Sequence, residues 1–335
     1  MSDIRGITAA RRIAFGPQDR LMSMAHVKYK FAIDVYETME ANTWFTKSIP
    51  MGTDRDCYRS QLTEQERSAY DKALAFVSNL DGIQFNNLIT NIGTCITAPE
   101  VSLAIARQAA EEGVHVRAYQ TMIEAVSLDP AEVYMMFERD GLLARKNAYI
   151  MEQSDILRDE QDAYAFARAV VGNLLLEGVF FYAAFLVFYV LARNGKMLGS
   201  ADMIKYINRD EGGTHLELFA GIHNTFRAEN PQLYDRNFYA DARRLFMEAV
   251  ELEIEWGQYI IGKGIQGLTP AMVEGFVKHL ANLRWTLVGA PGTPVLYPGV
   301  TNPVPWFDEF SNPNGTRANF FERKPTDYAV DGLDW

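Results

Sequence analysis

The chain has 335 residues, 48% hydrophobic and 22% charged, the balance of a globular protein able to bury a sizeable core in one large domain or two ordinary ones. Its formal net charge of −11 makes a nucleic-acid backbone an unfavourable partner, since like charges repel. Residues 1–16 are charged and hold no apolar run, so no signal peptide is read there, and two distant cysteines, Cys57 and Cys95, suit buried thiols in a reducing cytoplasm.

Helical periodicity dominates in chain order. A first helix covers about Val27 to Phe45. Thr63 and Glu66 have the spacing of a capping box, in which a hydroxyl and a carboxylate satisfy each other's free backbone amides, and the helix they open runs toward Ile96. Pro99 suits a first helical turn, and that helix continues to Val126. A further one spans about Tyr164 to Arg193 and ends at Asn194-Gly195. The next is expected to start after Ser200, acting as N-cap, and to run to Glu229 before Asn230-Pro231. Two more cover about Tyr239 to Ile261 and Pro270 to Val288. With no alternating strand pattern and no fixed repeat, the expected class is all-α. Prolines 291, 294, 298, 303 and 305 break any helix after Gly289. From Ser311 to Trp335 the composition is polar with isolated aromatics, which suits a tail that orders on a partner.

The segment from Leu174 to Ala192 holds a single charge, Glu177. Its uncharged stretch, Gly178 to Ala192, is 15 residues, short of the ~20 that a spanning helix needs. A helix apolar all round is equally at home in the centre of a bundle, so no membrane is expected. Glu177 must then be paired, protonated or bound to a metal, because an isolated carboxylate in an apolar setting is expensive.

Acids and histidines recur at helical spacing. In AAEEGVHVRAY, Glu112 lies three before His115 and Tyr119 four beyond it, all on one face. Glu111, four before His115, competes with Glu112 by spacing alone. In RDEGGTHLEL, Glu211 lies four before His215. Asp81, in FVSNLDGIQFNNLI, and Glu177 add one acid each from two other helices. One such pair is an ordinary surface feature, but an acid inside an apolar run is not. Two helices with a carboxylate and an imidazole, plus two giving one acid each, make the inventory of a dinuclear metal site in a ferritin-like bundle. Oxygen donors hold oxidised iron or manganese and neutral imidazole completes each sphere. Glu177 is expected to bridge the metals, and Tyr119, one turn beyond His115, to lie beside them as the residue oxidised. Phe181, Phe185 and Ile207 suit a dry wall that excludes reductants from the oxidised phenol, and equally suit ordinary core packing; both can hold together.

At this point the chain resembles the small, radical-generating subunit of class I ribonucleotide reductase. The resemblance runs from about Val27 to Trp335 and rests on NTWFTKSIPMG, NLDGIQFNN, AAEEGVHVRAY, LLLEGVFFYAAF, YINRDE…HLEL, VELEIEWGQ, NFFE and the terminal TDY…W. It implies a ferritin-like all-α bundle over 26–310, an N-terminal arm (1–25) and a tail (311–335) that docks on the large catalytic subunit, in a homodimer. It implies Asp81, Glu112, His115, Glu177, Glu211 and His215 as ligands of two metal ions, with Fe/Fe first and Mn/Fe or Mn/Mn also accepted by these ligands. It further implies Tyr119 as the radical residue and Trp44, Asp210 and Tyr328 as the relay to the large subunit, where ribonucleotides are reduced to deoxyribonucleotides. One departure stands out: the family's second pair is Glu-x-x-His, whereas Glu211-Gly-Gly-Thr-His215 holds one residue more. A π-type bulge would absorb it and restore the register downstream. A stand-alone di-metal oxidase or oxygenase would use the same six ligands without needing the tail, and an iron-storage ferritin would be a much shorter chain.

Overall fold

The computed structural model describes residues 3–19, 21–23, 25–290 and 292–311. Among these there is no strand, only the isolated bridges Ala14–Ile96 and Ile265–Leu268, so the class is all-α as expected. Helices Glu64–Asn86 and Pro99–Val126 pack along each other at the centre. The chain from Ala163 to Arg193 and that from Leu198 to Glu229 close the inner bundle. Lys30–Ala41, Gly141–Glu160, Arg236–Ile261 and Pro270–Val288 pack around it.

Local chemistry accounts for most boundaries. The capping box is present: Thr63 Oγ1 accepts the Glu66 amide at 3.2 Å and Glu66 Oε2 accepts the Thr63 amide at 2.8 Å. Pro99 and Pro270 open their helices where expected. Asp235 caps Arg236–Ile261, three residues ahead of the expected start. The helix expected from Val27 is shorter, Lys30–Ala41, and an unexpected helix, Ile4–Ala10, precedes it.

Ser200 is not an N-cap. The helix begins at Leu198, and its first amides are satisfied from a distance. Asp54 accepts the Gly199 amide at 2.9 Å, the Ser200 amide at 2.6 Å and the Ser200 hydroxyl at 2.7 Å. A carboxylate at a helix N-terminus meets both free N–H groups and the positive end of the dipole. Asp54 comes from Gly52–Ser60, a helix outside the expected set, as were Pro130–Arg139 and Gly141–Glu160, whose caps Asp129 and Asp140 were the available signals.

The apolar run lies wholly inside. Phe181, Phe185, Phe188 and Leu191 are 0% exposed, each contributing about 1.5–3 kcal/mol on burial. The helix Ala163–Arg193 is long and apolar enough to cross a membrane by length and composition, yet its most apolar window is 100% buried in the bundle. Cys57 and Cys95 are buried free thiols.

Three stretches leave α geometry for π: Asn87–Ile92, Leu176–Phe180 and Asp210–His215. The third is the bulge that the extra residue required, and regular α-helix resumes at Leu216. The other two carry no such sequence signal.

Candidate metal centre

Four inner segments bring the six predicted ligands together. Asp81 comes from Glu64–Asn86, Glu112 and His115 from Pro99–Val126, Glu177 from the π-segment Leu176–Phe180, and Glu211 and His215 from the π-segment Asp210–His215. All six are 0% exposed. They form two groups whose donor atoms lie within 4.8 Å of one another: Asp81, Glu112, His115 and Glu211, and Glu112, Glu177, Glu211 and His215.

Glu112 and Glu211 belong to both groups, and their oxygens are divided between the two imidazoles. Glu112 Oε2 is 3.4 Å from His115 Nδ1 and Oε1 is 3.5 Å from His215 Nδ1. Glu211 Oε1 is 2.9 Å from His115 Nδ1 and Oε2 is 3.2 Å from His215 Nδ1. Asp81 Oδ2 lies 3.5 Å from His115 Nδ1, and Glu177 Oε2 lies 3.6 Å from His215 Nδ1. The carboxylates that span both halves are therefore Glu112 and Glu211. Glu177, expected as a bridge, falls in the second group alone, beside His215.

Two metal ions fit these residues. Asp81 Oδ1 and Oδ2, Glu112 Oε2, His115 Nδ1, Glu177 Oε2 and Glu211 Oε1 are buried without hydrogen-bond partners, a concentration of unsatisfied groups that native interiors avoid. Four carboxylates and two neutral imidazoles balance the charge of two divalent cations. Without cations the cluster must share protons. Burial, opposed by the neighbouring His115 imidazole, pushes Asp81 up to about 7. Burial and the Glu177 charge raise Glu112, and burial with Glu177 and Glu112 raises Glu211 well above the carboxylate range. Burial acts upward on Glu177 too, but the neighbouring Glu211 and His215, with the Gln84 amide, outweigh it and hold this acid low.

The outer faces of the ligands are also organised. His115 Nε2 is 3.3 Å from Asp210 Oδ2, and His215 Nε2 is 3.0 Å from Glu111 Oε2. Glu111, a competitor of Glu112 by spacing, thus turns to the far side of His215, where Arg107 Nη2 holds its Oε1 at 3.1 Å. Gln108 Nε2 donates to Glu177 Oε1 at 2.8 Å, and Gln84 Nε2 donates to the same oxygen. These amides escaped the sequence reading, though Gln108 lies one turn before Glu112.

Tyr119 is 0% exposed and its hydroxyl has no hydrogen-bond partner. Burial, then the carboxylates of Asp81, Glu211 and Glu112, push its phenol well above the ordinary range, so the ring is held neutral beside the cluster. Phe181, Phe185 and Ile207 are likewise 0% exposed and belong to the same apolar core. Trp44 is half-buried, and its Nε1 donates to Asp210 Oδ2 at 2.8 Å, the oxygen that also faces His115. Tyr328 and the tail lie outside the described residues.

Residues 21–303 match the family described as ribonucleotide reductase, small chain. The chain is 37% identical to the ribonucleoside-diphosphate reductase subunit beta of Treponema pallidum, over 95% of this chain and 91% of that protein. It is 32% identical to the subunit of the same name from Chlamydia pneumoniae, over 92% and 90%. Its fold is similar to that of the ribonucleotide reductase R2 subunit from Clostridium botulinum, with a TM-score of 0.85 and 34% identity over 90% of this chain and 94% of that one.

Proposed function

Because the chain belongs to the ribonucleotide reductase small-chain family, and is thereby the small subunit of a ribonucleoside-diphosphate reductase, we propose that it generates a radical on Tyr119 and passes it to a large catalytic subunit. Asp81, Glu112, His115 and Glu211 would hold one metal ion, and Glu112, Glu177, Glu211 and His215 would hold the other. The observation that carries this reading is the division of the Glu112 and Glu211 oxygens between the two histidines. Iron in both positions is the first choice, and Mn/Fe or Mn/Mn suits the same oxygen and imidazole donors.

When bound and oxidised by an external oxidant such as O₂, the metal pair would supply the oxidising power for removal of one electron from Tyr119. The residues do the rest. Tyr119 gives up its phenolic proton from Oη to the carboxylate of Asp81, the acid whose charge acts on it most strongly. The Phe181, Phe185 and Ile207 side chains keep water and reductants from the ring. Asp210 links His115 to Trp44 through one oxygen, which gives the hole a short path toward the surface, and Tyr328 of the tail continues it to the large subunit. The working assembly is a homodimer docked on that subunit in the cytoplasm.

The test is metal analysis with electron paramagnetic resonance on active protein, alongside Tyr119→Phe. That variant should keep about two metal ions per chain yet lose the tyrosyl signal, since the hydroxyl is no ligand. A full signal in the variant sinks the assignment. A stand-alone oxidase would turn over without the large subunit, so activity that depends on adding that subunit separates the two readings.

A further inference from the structure

Lys146 and Glu253 form an ion pair whose side chains are both 0% exposed, away from the metal cluster. Lys146 Nζ lies 3.5 Å from the centroid of the Phe76 ring and 5.1 Å from that of Phe180. Stripping water from two ions costs as much as their attraction returns, and apolar pairs of similar volume are often as stable. Stability alone is therefore a poor reason for this pair.

Its remaining hydrogen bonds supply a better one. Lys146 Nζ donates to the Phe180 carbonyl at 3.3 Å, and Glu253 Oε1 accepts the Ala183 amide at 2.9 Å. These backbone groups flank Phe181, where the π-segment Leu176–Phe180 gives way to the helix Tyr182–Arg193. A change of hydrogen-bond register interrupts the regular ladder, and a buried backbone group must still find a partner. The acid meets the donor and the base meets the acceptor, so the pair matches the junction in polarity as well as in place. The two residues come from Gly141–Glu160 and Arg236–Ile261, outer helices that thereby grip an inner one.

We propose that Lys146 and Glu253 are positioning residues that cap the end of the π-segment Leu176–Phe180 and so fix the turn from which Glu177 reaches the metal site. The proposal rests on Glu177 being a metal ligand. Neither residue belongs to the ligand cluster, so they act through the backbone.

The experiment compares the full chain with two variants, Lys146→Met/Glu253→Leu and Lys146→Met/Glu253→Gln. Metal-free protein is followed by thermal unfolding and by amide hydrogen exchange over residues 176–184, and manganese(II) affinity is then titrated. The Met/Leu variant should melt close to wild type but exchange faster over that segment and bind manganese(II) roughly 10–100-fold more weakly, the size of effect seen when outer supports of a metal ligand are lost. The Met/Gln variant keeps an acceptor for the Ala183 amide and should recover most of both. Protection and affinity unchanged in Met/Leu overturn the proposal. Should Met/Leu fail to fold, Met/Gln decides: a pair kept for its charges loses affinity there, and a capping pair does not. A wild-type chain that binds no manganese(II) defeats the metal reading instead, leaving the exchange data to judge the cap.

Discussion

The two site histidines are built alike: each turns Nδ1 to the cluster and Nε2 to an outer carboxylate, Asp210 for His115 and Glu111 for His215. A metal on Nδ1 requires the proton on Nε2, and the outer acid fixes that tautomer and the ring plane. Glu111→Ala should therefore weaken metal binding about 10–100-fold with the ligands untouched, read by metal titration; unchanged affinity would show that His215 needs no such support. A different acid bears on stability. Asp71 accepts the Tyr58 hydroxyl at 2.7 Å, but its other oxygen is buried without a partner, and burial pushes its carboxyl up to about 6 from 3.8. The folded state then holds its proton more tightly than the unfolded one, so stability falls as pH rises from about 4 to about 6 and stays lower above. Asp71→Asn should stabilise the protein at pH 7 by about 1 kcal/mol, given that the residue is only partly buried. That gain should vanish below about pH 4 in thermal melts across this range.

Among the elements, two π-segments carry three of the six candidate ligands, Glu177, Glu211 and His215. At Asp210–His215 the sequence announced the irregularity, because one added residue must rotate everything downstream by about 100° unless it is absorbed locally. The glycines there are not equivalent. A Cβ on Gly212 would come within 2.7 Å of Tyr182 Oη, whereas one on Gly213 would meet nothing within 4 Å. Gly213→Ala should stabilise the chain by about 0.5–1 kcal/mol through backbone entropy. Gly212→Ala should lose that gain to the clash and lower the melting temperature, a contrast that thermal unfolding of the two variants resolves. At Leu176–Phe180 nothing in the residue order signals a π-turn, because its partners, Lys146 and Glu253, stand on other helices. Likewise Ser200 reads as a cap in isolation, yet Asp54 caps that helix from far along the chain.

For the whole molecule, the helical body holds every proposed metal ligand, and the tail, by the reading proposed here, carries only the link to the large subunit. Ending the chain at residue 310 should abolish turnover with the large subunit while metal content and the tyrosyl signal stay at wild-type levels. Loss of the metal centre on truncation would show instead that residues 311–335 support the bundle. The apolar run around Glu177 illustrates the same division of labour. Packed at 0–3% exposure, its phenylalanines make the interior in which four acids are tolerable only when something positive joins them.

What the sequence by itself determined is local or compositional. It gave away the all-α class, the capping box at Thr63, the acid marooned at Glu177 and the face shared by Glu112, His115 and Tyr119, because helical spacing and the cost of a buried charge hold in whatever tertiary setting follows. The residue added between Glu211 and His215 belongs with these, since a helix must absorb it within a turn. Only the tertiary structure decided which carboxylates are shared. Glu112 and Glu211 span both halves, and Glu177 does not, because sharing depends on which oxygen faces which imidazole across helices distant in sequence. Glu111 was separated from Glu112 for the same reason: adjacent residues on a helix point about 100° apart, and only the position of His215 says what the second one meets.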